Sequence, residues 1–215
     1  MGIKEDIDLL FSSNLDSPNF LYNNEYNKFI ASHAYTLSAD HEGNGMYAGI
    51  AGRLMDVGRV IDGFDIDSNT LILTKEVMER NEFSYDDTNR VLDILDSYKC
   101  EVGKPLPKSI EARMLSTTDM YFQLTSNFFL RAHESEKFPD FIDYCNWVLE
   151  KIDMTYRRHF DSLQLPNKRF LDSLQATYYH ANDMDEIKKA LWITYDRELE
   201  MENIIQKDKG LHTFI

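Results

Sequence analysis

The sequence predicts an all-α protein, on two observations. Apolar residues recur at the 3.6-residue spacing of helices along most of the 215 residues, whereas alternating runs of β-branched residues bounded by turns are scarce. The five prolines and most of the nine glycines lie at or near the ends of predicted helices, and none of these connections has the composition of a linker between domains. We therefore expect one helical domain over residues 1–215, in which helices from about residue 166 to 206 form an accessory layer.

The first half of the chain is expected to hold five helices. Their predicted ranges are about 3–11, 25–39, 46–60, 69–80 and 85–98. Asp67 or Ser68 is the expected N-cap of the fourth helix, because short polar side chains accept hydrogen bonds from the first backbone N–H groups of a helix. Ser84 is expected to cap the fifth helix, with Asp87 completing a capping box.

The third predicted helix is rich in small residues and contains Gly49 and Gly52. Glycine inside a helix costs about 1 kcal/mol relative to alanine. Two glycines in one helix therefore indicate that a neighbouring helix packs closely against it.

Four prolines and a serine mark the loop and the helix starts of the second half. Two predicted helices cover about 109–132 and 139–163. A third begins near 166, and the last covers about 183–206. The loop that precedes them, at about 99–108, contains one glycine and two prolines.

Composition and charge exclude several classes of function. Asp and Glu outnumber Lys and Arg by 37 to 23, and a net charge of −14 argues against binding long nucleic acid through its phosphates. No apolar run approaches the roughly 18 residues of a membrane span, and the charged N-terminus lacks the apolar core of a signal peptide. The spacing of Cys100 and Cys145 does not suggest a zinc site. We expect a cytoplasmic protein with reduced thiols and no membrane partner.

Three segments carry the strongest functional pattern of the chain. The third helix ends in Leu-Met-Asp-Val-Gly-Arg at residues 54–59, and residues 109–119 read Ser-Ile-Glu-Ala-Arg-Met-Leu-Ser-Thr-Thr-Asp. His33 lies upstream of both. Together they resemble the HD superfamily of metal-dependent phosphohydrolases, in which a first His precedes an adjacent His-Asp pair and a final Asp follows on a later helix. The resemblance covers about residues 25–160 and implies an HD-like helical core there.

The resemblance implies a metal site and a set of phosphate contacts. His33, Asp56 and Asp119 would hold a divalent metal such as Mn, Mg, Zn or Fe, and the catalytic residues would be Asp56 and Asp119, one or the other of which would orient the attacking water. A metal lowers the pKa of its bound water and polarises a phosphoryl oxygen. Arg59 and Lys104 would contact the phosphate and neutralise its developing charge. The implied substrate is a small phosphorylated, nucleotide-like molecule.

The chain departs from the HD pattern at two positions. Met55 stands where the His of the His-Asp pair belongs, and Tyr98 stands where relatives often have a further His. A thioether is a poor ligand for these metals, although three protein ligands with open positions can still form a catalytic site. Two alternatives therefore stay open beside the phosphohydrolase. One is a degenerate, non-catalytic HD-fold module for regulation or protein interaction; the other is an unrelated helical interaction protein. Self-association into a homo-oligomer is a further open expectation.

Overall fold

The computed structural model describes residues 2–12, 24–60, 65–104, 106–125, 128–134, 138–163 and 168–189. Helices connected by turns and loops make up these ranges, and no strand occurs within them, which confirms the all-α prediction. In chain order the elements are α1 (Ile3–Ser12), α2 (Asn24–Asp40), α3 (Gly45–Leu54), a 3-10 turn (Val57–Val60), α4 (Ile66–Arg80), α5 (Tyr85–Ser97), α6 (Ile110–Thr125), α7 (Phe128–Glu134), α8 (Phe141–Lys151), a π turn (Ile152–Tyr156), α9 (Arg157–Leu163) and α10 (Lys168–His180).

The described residues group into two compact units. The first contains the chain up to Lys99 together with the segment that ends at Asp119, and the second contains Cys100–Lys104 and the residues from Met120 onward. Each unit has buried apolar side chains of its own, such as Ile30 and Leu54 in the first and Phe129 and Tyr144 in the second. The expectation of one domain over residues 1–215 stays a prediction.

Helices α2 and α3 pack closely in the first unit, and Gly52 lies at their contact. A Cβ atom on Gly52 would lie 2.8 Å from the Cα atom and 2.9 Å from the backbone nitrogen of Ala31. Backbone atoms cannot move aside as a flexible side chain does, so this position requires glycine. The sequence-based expectation of a close helix neighbour is confirmed at Gly52.

Helix α3 ends earlier than the sequence predicts. It stops at Leu54, and Asp56 then adopts a positive φ of 55° before the 3-10 turn begins. The predicted helix to Val60 is therefore wrong in its last turn. Gly58 in that turn donates its N–H to the Thr70 hydroxyl at 2.9 Å, and a Cβ on Gly58 would lie 2.3 Å from the Ile66 carbonyl oxygen. The turn after α3 is therefore packed directly against the start of α4.

The caps of α4 and α5 are defined by short side chains. Asp65 caps α4, because its Oδ1 accepts a hydrogen bond from the N–H of Ser68 at 3.0 Å. The predicted caps Asp67 and Ser68 instead lie inside the first turn, which corrects that expectation. Ser84 caps α5 as predicted, since its hydroxyl accepts from the N–H of Asp87 at 3.1 Å.

The second half agrees with its predicted helices except for one local change. The helix predicted over 109–132 corresponds to α6, described to Thr125, and α7, described from Phe128, and residues 126–127 lie outside the described ranges. The helix predicted over 139–163 contains the π turn between α8 and α9. Residues 184–189 of the last predicted helix are helical, and the rest of that prediction lies outside the described residues.

None of the described helices has the length and apolar character of a membrane-spanning helix. Within the described ranges, every helix is too short or too polar to cross a bilayer.

Candidate functional site

Asp56 occupies a buried turn between α3 and α4. The side chains of α3 before it are almost wholly buried against neighbouring elements, and Asp56 itself is 8% exposed. Its positive φ is sparsely populated by residues other than glycine, although Asp and Asn tolerate it better than most. Packing on both sides of the turn therefore fixes the position of this carboxylate.

Two cations and a phenol surround the Asp56 carboxylate. Arg59 approaches Oδ2 with Nη2 at 3.3 Å and Nε at 3.4 Å. Lys99 places Nζ 3.5 Å from Oδ1, and the Tyr98 hydroxyl lies 3.4 Å from the same oxygen. Lys99 also forms an ion pair with Asp67 in the first turn of α4. We call these five residues the Asp56 cluster; it links the turn, the start of α4 and the end of α5 through charged contacts.

His33 lies on α2 and makes local contacts. Its ring stacks on Phe29 with the ring centroids 3.9 Å apart. Its Nδ1 lies 2.9 Å from the Phe29 carbonyl oxygen, so the two residues form an i, i+4 pair on one face of the helix. One ring nitrogen of His33 is therefore engaged within its own helix.

The polar side chain of α2 that reaches Met55 belongs to Asn27. Its amide nitrogen donates to the carbonyl oxygens of Arg53 at 3.1 Å and Met55 at 2.7 Å. These carbonyls lie at the C-terminal end of α3, where the helix leaves acceptors without partners of its own. Asn27 precedes His33 by six residues, or about 9 Å of helix rise, so the two cannot serve the same point of the turn.

Asp119 lies in the middle of α6 and is half-buried. The Tyr26 hydroxyl donates a hydrogen bond to its Oδ1. Tyr26 is buried and directly precedes Asn27 on α2. This hydrogen bond from a neutral phenol links Asp119 to α2.

The two predicted phosphate contacts, Arg59 and Lys104, lie in different surroundings. Arg59 is 21% exposed and pairs with Asp56. Lys104 belongs to the second unit, where its Nζ lies 3.8 Å from Glu101 and its backbone carbonyl accepts a hydrogen bond from Arg158 at 2.6 Å. Both cations thus have acidic side chains beside them.

The implied metal does not fit the donor set. Among the described residues, no three His, Cys, Asp or Glu side chains are placed so that they could hold a metal ion together. His33, Asp56 and Asp119 are all described, and they are not brought into one such group. The physical reason is visible at each residue: His33 faces Phe29, Asp119 faces Tyr26, and Asp56 faces its own cations.

Sequence reasoning missed Lys99 and Asn27. Asn27 lies on the buried stripe of α2, together with Ile30, Ala31 and Ala34, whereas His33 lies beside that stripe. The 3.6-residue period could therefore have selected Asn27 over His33. No comparable pattern marks Lys99, because its partners Asp56 and Asp67 are more than thirty positions away in the sequence.

Comparison of the chain with protein-family models, curated proteins and solved structures gave no match.

Proposed function

We propose that this protein is a non-catalytic binding or regulatory module built on an HD-like helical scaffold. The observation that carries the proposal is the Asp56 cluster. Asp56 is the acid that the HD pattern would use as a metal ligand, and its carboxylate is compensated by Arg59 and Lys99 instead. A divalent ion would have to displace or repel both cations to reach it.

Met55 and Asn27 support the same proposal. Met55 is 1% exposed and offers a soft thioether at the position of the expected His. Asn27 uses both amide hydrogens to satisfy the end of α3, which is a structural task. Asn27 therefore stabilises the end of α3, and Met55 adds no hard metal ligand next to Asp56.

Metal content and phosphohydrolase activity of the purified protein test this proposal. We expect no stoichiometric metal after incubation with Mn²⁺ or Zn²⁺, and no hydrolysis of small phosphate esters or nucleotides. Near-stoichiometric metal that is lost in both His33→Ala and Asp119→Ala would overturn the proposal. His41→Ala is the matched control, because His41 is exposed in the loop before α3.

A metal-dependent phosphohydrolase acting on a small nucleotide-like molecule is the second candidate. It is favoured by Arg59, whose guanidinium lies beside Asp56 as a phosphate contact would. If metal is found, the substrate screen should be repeated with Arg59→Ala. For this candidate, the variant should lose turnover and keep its metal.

A further inference from the structure

Three aromatic rings of the second unit lie within cation–π distance of one lysine ammonium. The Nζ atom of Lys151 lies 5.5 Å from the ring centroid of Trp147, 5.7 Å from that of Phe128 and 5.9 Å from that of Tyr156. It also donates a hydrogen bond to Oε1 of Gln123 at 3.0 Å. All three centroid distances fall within the range of cation–π attraction. We call the three rings and the Gln123 amide the aromatic box.

The π turn brings Tyr156 into the box. Trp147 and Lys151 are four residues apart on α8 and share a face of the helix. Tyr156 is five residues beyond Lys151, which in a continuous α-helix would place it on a different face. The π turn hydrogen-bonds residues five apart, as the bond from the Arg157 N–H to the Ile152 carbonyl shows, so positions five apart come nearly into line. Such turns are rare and occur frequently at functional sites.

The walls of the box are fixed by their own packing. Phe128 stacks on Trp147 at 6.3 Å, and Phe129 meets Trp147 and Tyr156 edge to face at 5.9 and 6.2 Å. The Tyr156 hydroxyl donates to the same Gln123 oxygen at 2.7 Å. Phe128, Tyr156 and Gln123 are buried, so these groups keep their places whether or not an ammonium lies between them.

The Trp147 side of the box is partly exposed to solvent. Trp147 and Lys151 are half-buried, and the lysine side chain has four rotatable carbons that can carry its ammonium outward. The net charge of −14 raises the local concentration of cations at the surface. Outward rotation of the lysine side chain would leave space beside the rings for another small cation.

We infer that the aromatic box is a binding site for small quaternary ammonium ions and that Lys151 is its built-in occupant. A quaternary ammonium has no N–H group, so it loses fewer hydrogen bonds to water than a lysine ammonium when rings enclose it. The lysine occupies the box in the absence of ligand and lowers the apparent affinity by the fraction of time that it does so.

Calorimetric titration with tetramethylammonium chloride tests the inference on the full chain. Wild type should bind weakly, and Lys151→Ala should bind about tenfold more tightly because the competing ammonium is gone. Choline should likewise bind more tightly to Lys151→Ala than to wild type. Its neutral carbon isostere, 3,3-dimethylbutan-1-ol, should bind neither protein, since cation–π attraction requires the charge. Lys75→Ala, which removes an exposed lysine of α4, should behave as wild type.

Two outcomes would show that the box only stabilises the fold. One is a folded Lys151→Ala protein, checked by circular dichroism, that binds no tetramethylammonium. The other is equal binding of the neutral isostere. Trp147→Leu in the Lys151→Ala background removes one wall and should abolish binding, whereas Tyr156→Phe keeps its ring and should retain it. If Lys151→Ala does not fold, Lys151→Met replaces it under the same criteria, because it keeps the apolar part of the stem.

Discussion

Asp56 shows how a single residue can be held in an unfavourable conformation. Its left-handed backbone costs on the order of 1 kcal/mol or more for a residue other than glycine. The contacts with Arg59, Lys99 and Tyr98 stabilise the turn from three directions and offset that cost. These cations are only about one-fifth exposed, so solvent screens their attraction to Asp56 less than at an open surface.

Asp56→Asn should lower the free energy of unfolding by about 1–2 kcal/mol. Asparagine tolerates the left-handed backbone equally well, so the loss reports the charge that Arg59 and Lys99 would no longer meet. Urea denaturation at neutral pH measures it. Asp67→Asn is the control, because Asp67 is 48% exposed and its pair with Lys99 should contribute less than about 1 kcal/mol. A larger loss for Asp67→Asn than for Asp56→Asn would contradict this view of the cluster.

At the scale of elements, the close packing of α2 against α3 depends on a glycine, which has no side chain, at position 52. Helix α3 can lie on α2 only because Gly52 leaves the backbone of Ala31 uncovered. Asn27 then reaches the end of α3 and binds its last carbonyls. The close packing and the capping of α3 are thus two consequences of the same contact.

Gly52→Ala should destabilise the protein by about 1–3 kcal/mol. Alanine is favoured over glycine in a helix by about 1 kcal/mol, but its Cβ would meet backbone atoms of α2 at 2.8 and 2.9 Å, and overpacking of this kind is costly. Thermal and urea denaturation of the variant and the wild type show whether the substitution lowers or raises the stability. Glu76→Ala, at an exposed position of α4, should change stability by less than about 0.5 kcal/mol. A stabilised Gly52→Ala protein would mean that the two helices separate easily.

For the whole molecule, excess negative charge opposes compaction. The chain carries 37 acidic and 23 basic residues, so acidic side chains outnumber basic ones by 14. The ion pairs described above are local exceptions within a field of one sign. Screening by salt therefore acts in opposite directions on the molecule as a whole and on its exposed ion pairs.

The melting temperature should rise as ionic strength increases from about 20 to 200 mM, because the Debye length falls from roughly 20 Å to below 10 Å. Self-repulsion is then reduced, whereas the partly buried Asp56 pairs are screened much less. Scanning calorimetry in sodium chloride and in potassium chloride should give the same increase, since screening depends on ionic strength. A falling melting temperature would show that ion pairs outweigh self-repulsion.

The sequence by itself determined the helical class, most helix positions and the cap at Ser84. These follow from periodicity and from side chains that act on backbone groups a few residues away. It also marked Gly52 as a position of close packing. Local rules are sufficient for such features because cause and effect lie within one or two helical turns.

Only the tertiary structure decided what the candidate site residues contact. Lys99 meets Asp56 across 43 positions, and Tyr26 meets Asp119 across 93. Gly58, in the turn after α3, donates to Thr70 of α4, and Asn27 reaches the end of α3 across the contact between α2 and α3. Pairings of this kind are set by how helices pack, and a one-dimensional pattern of residue types does not specify that packing.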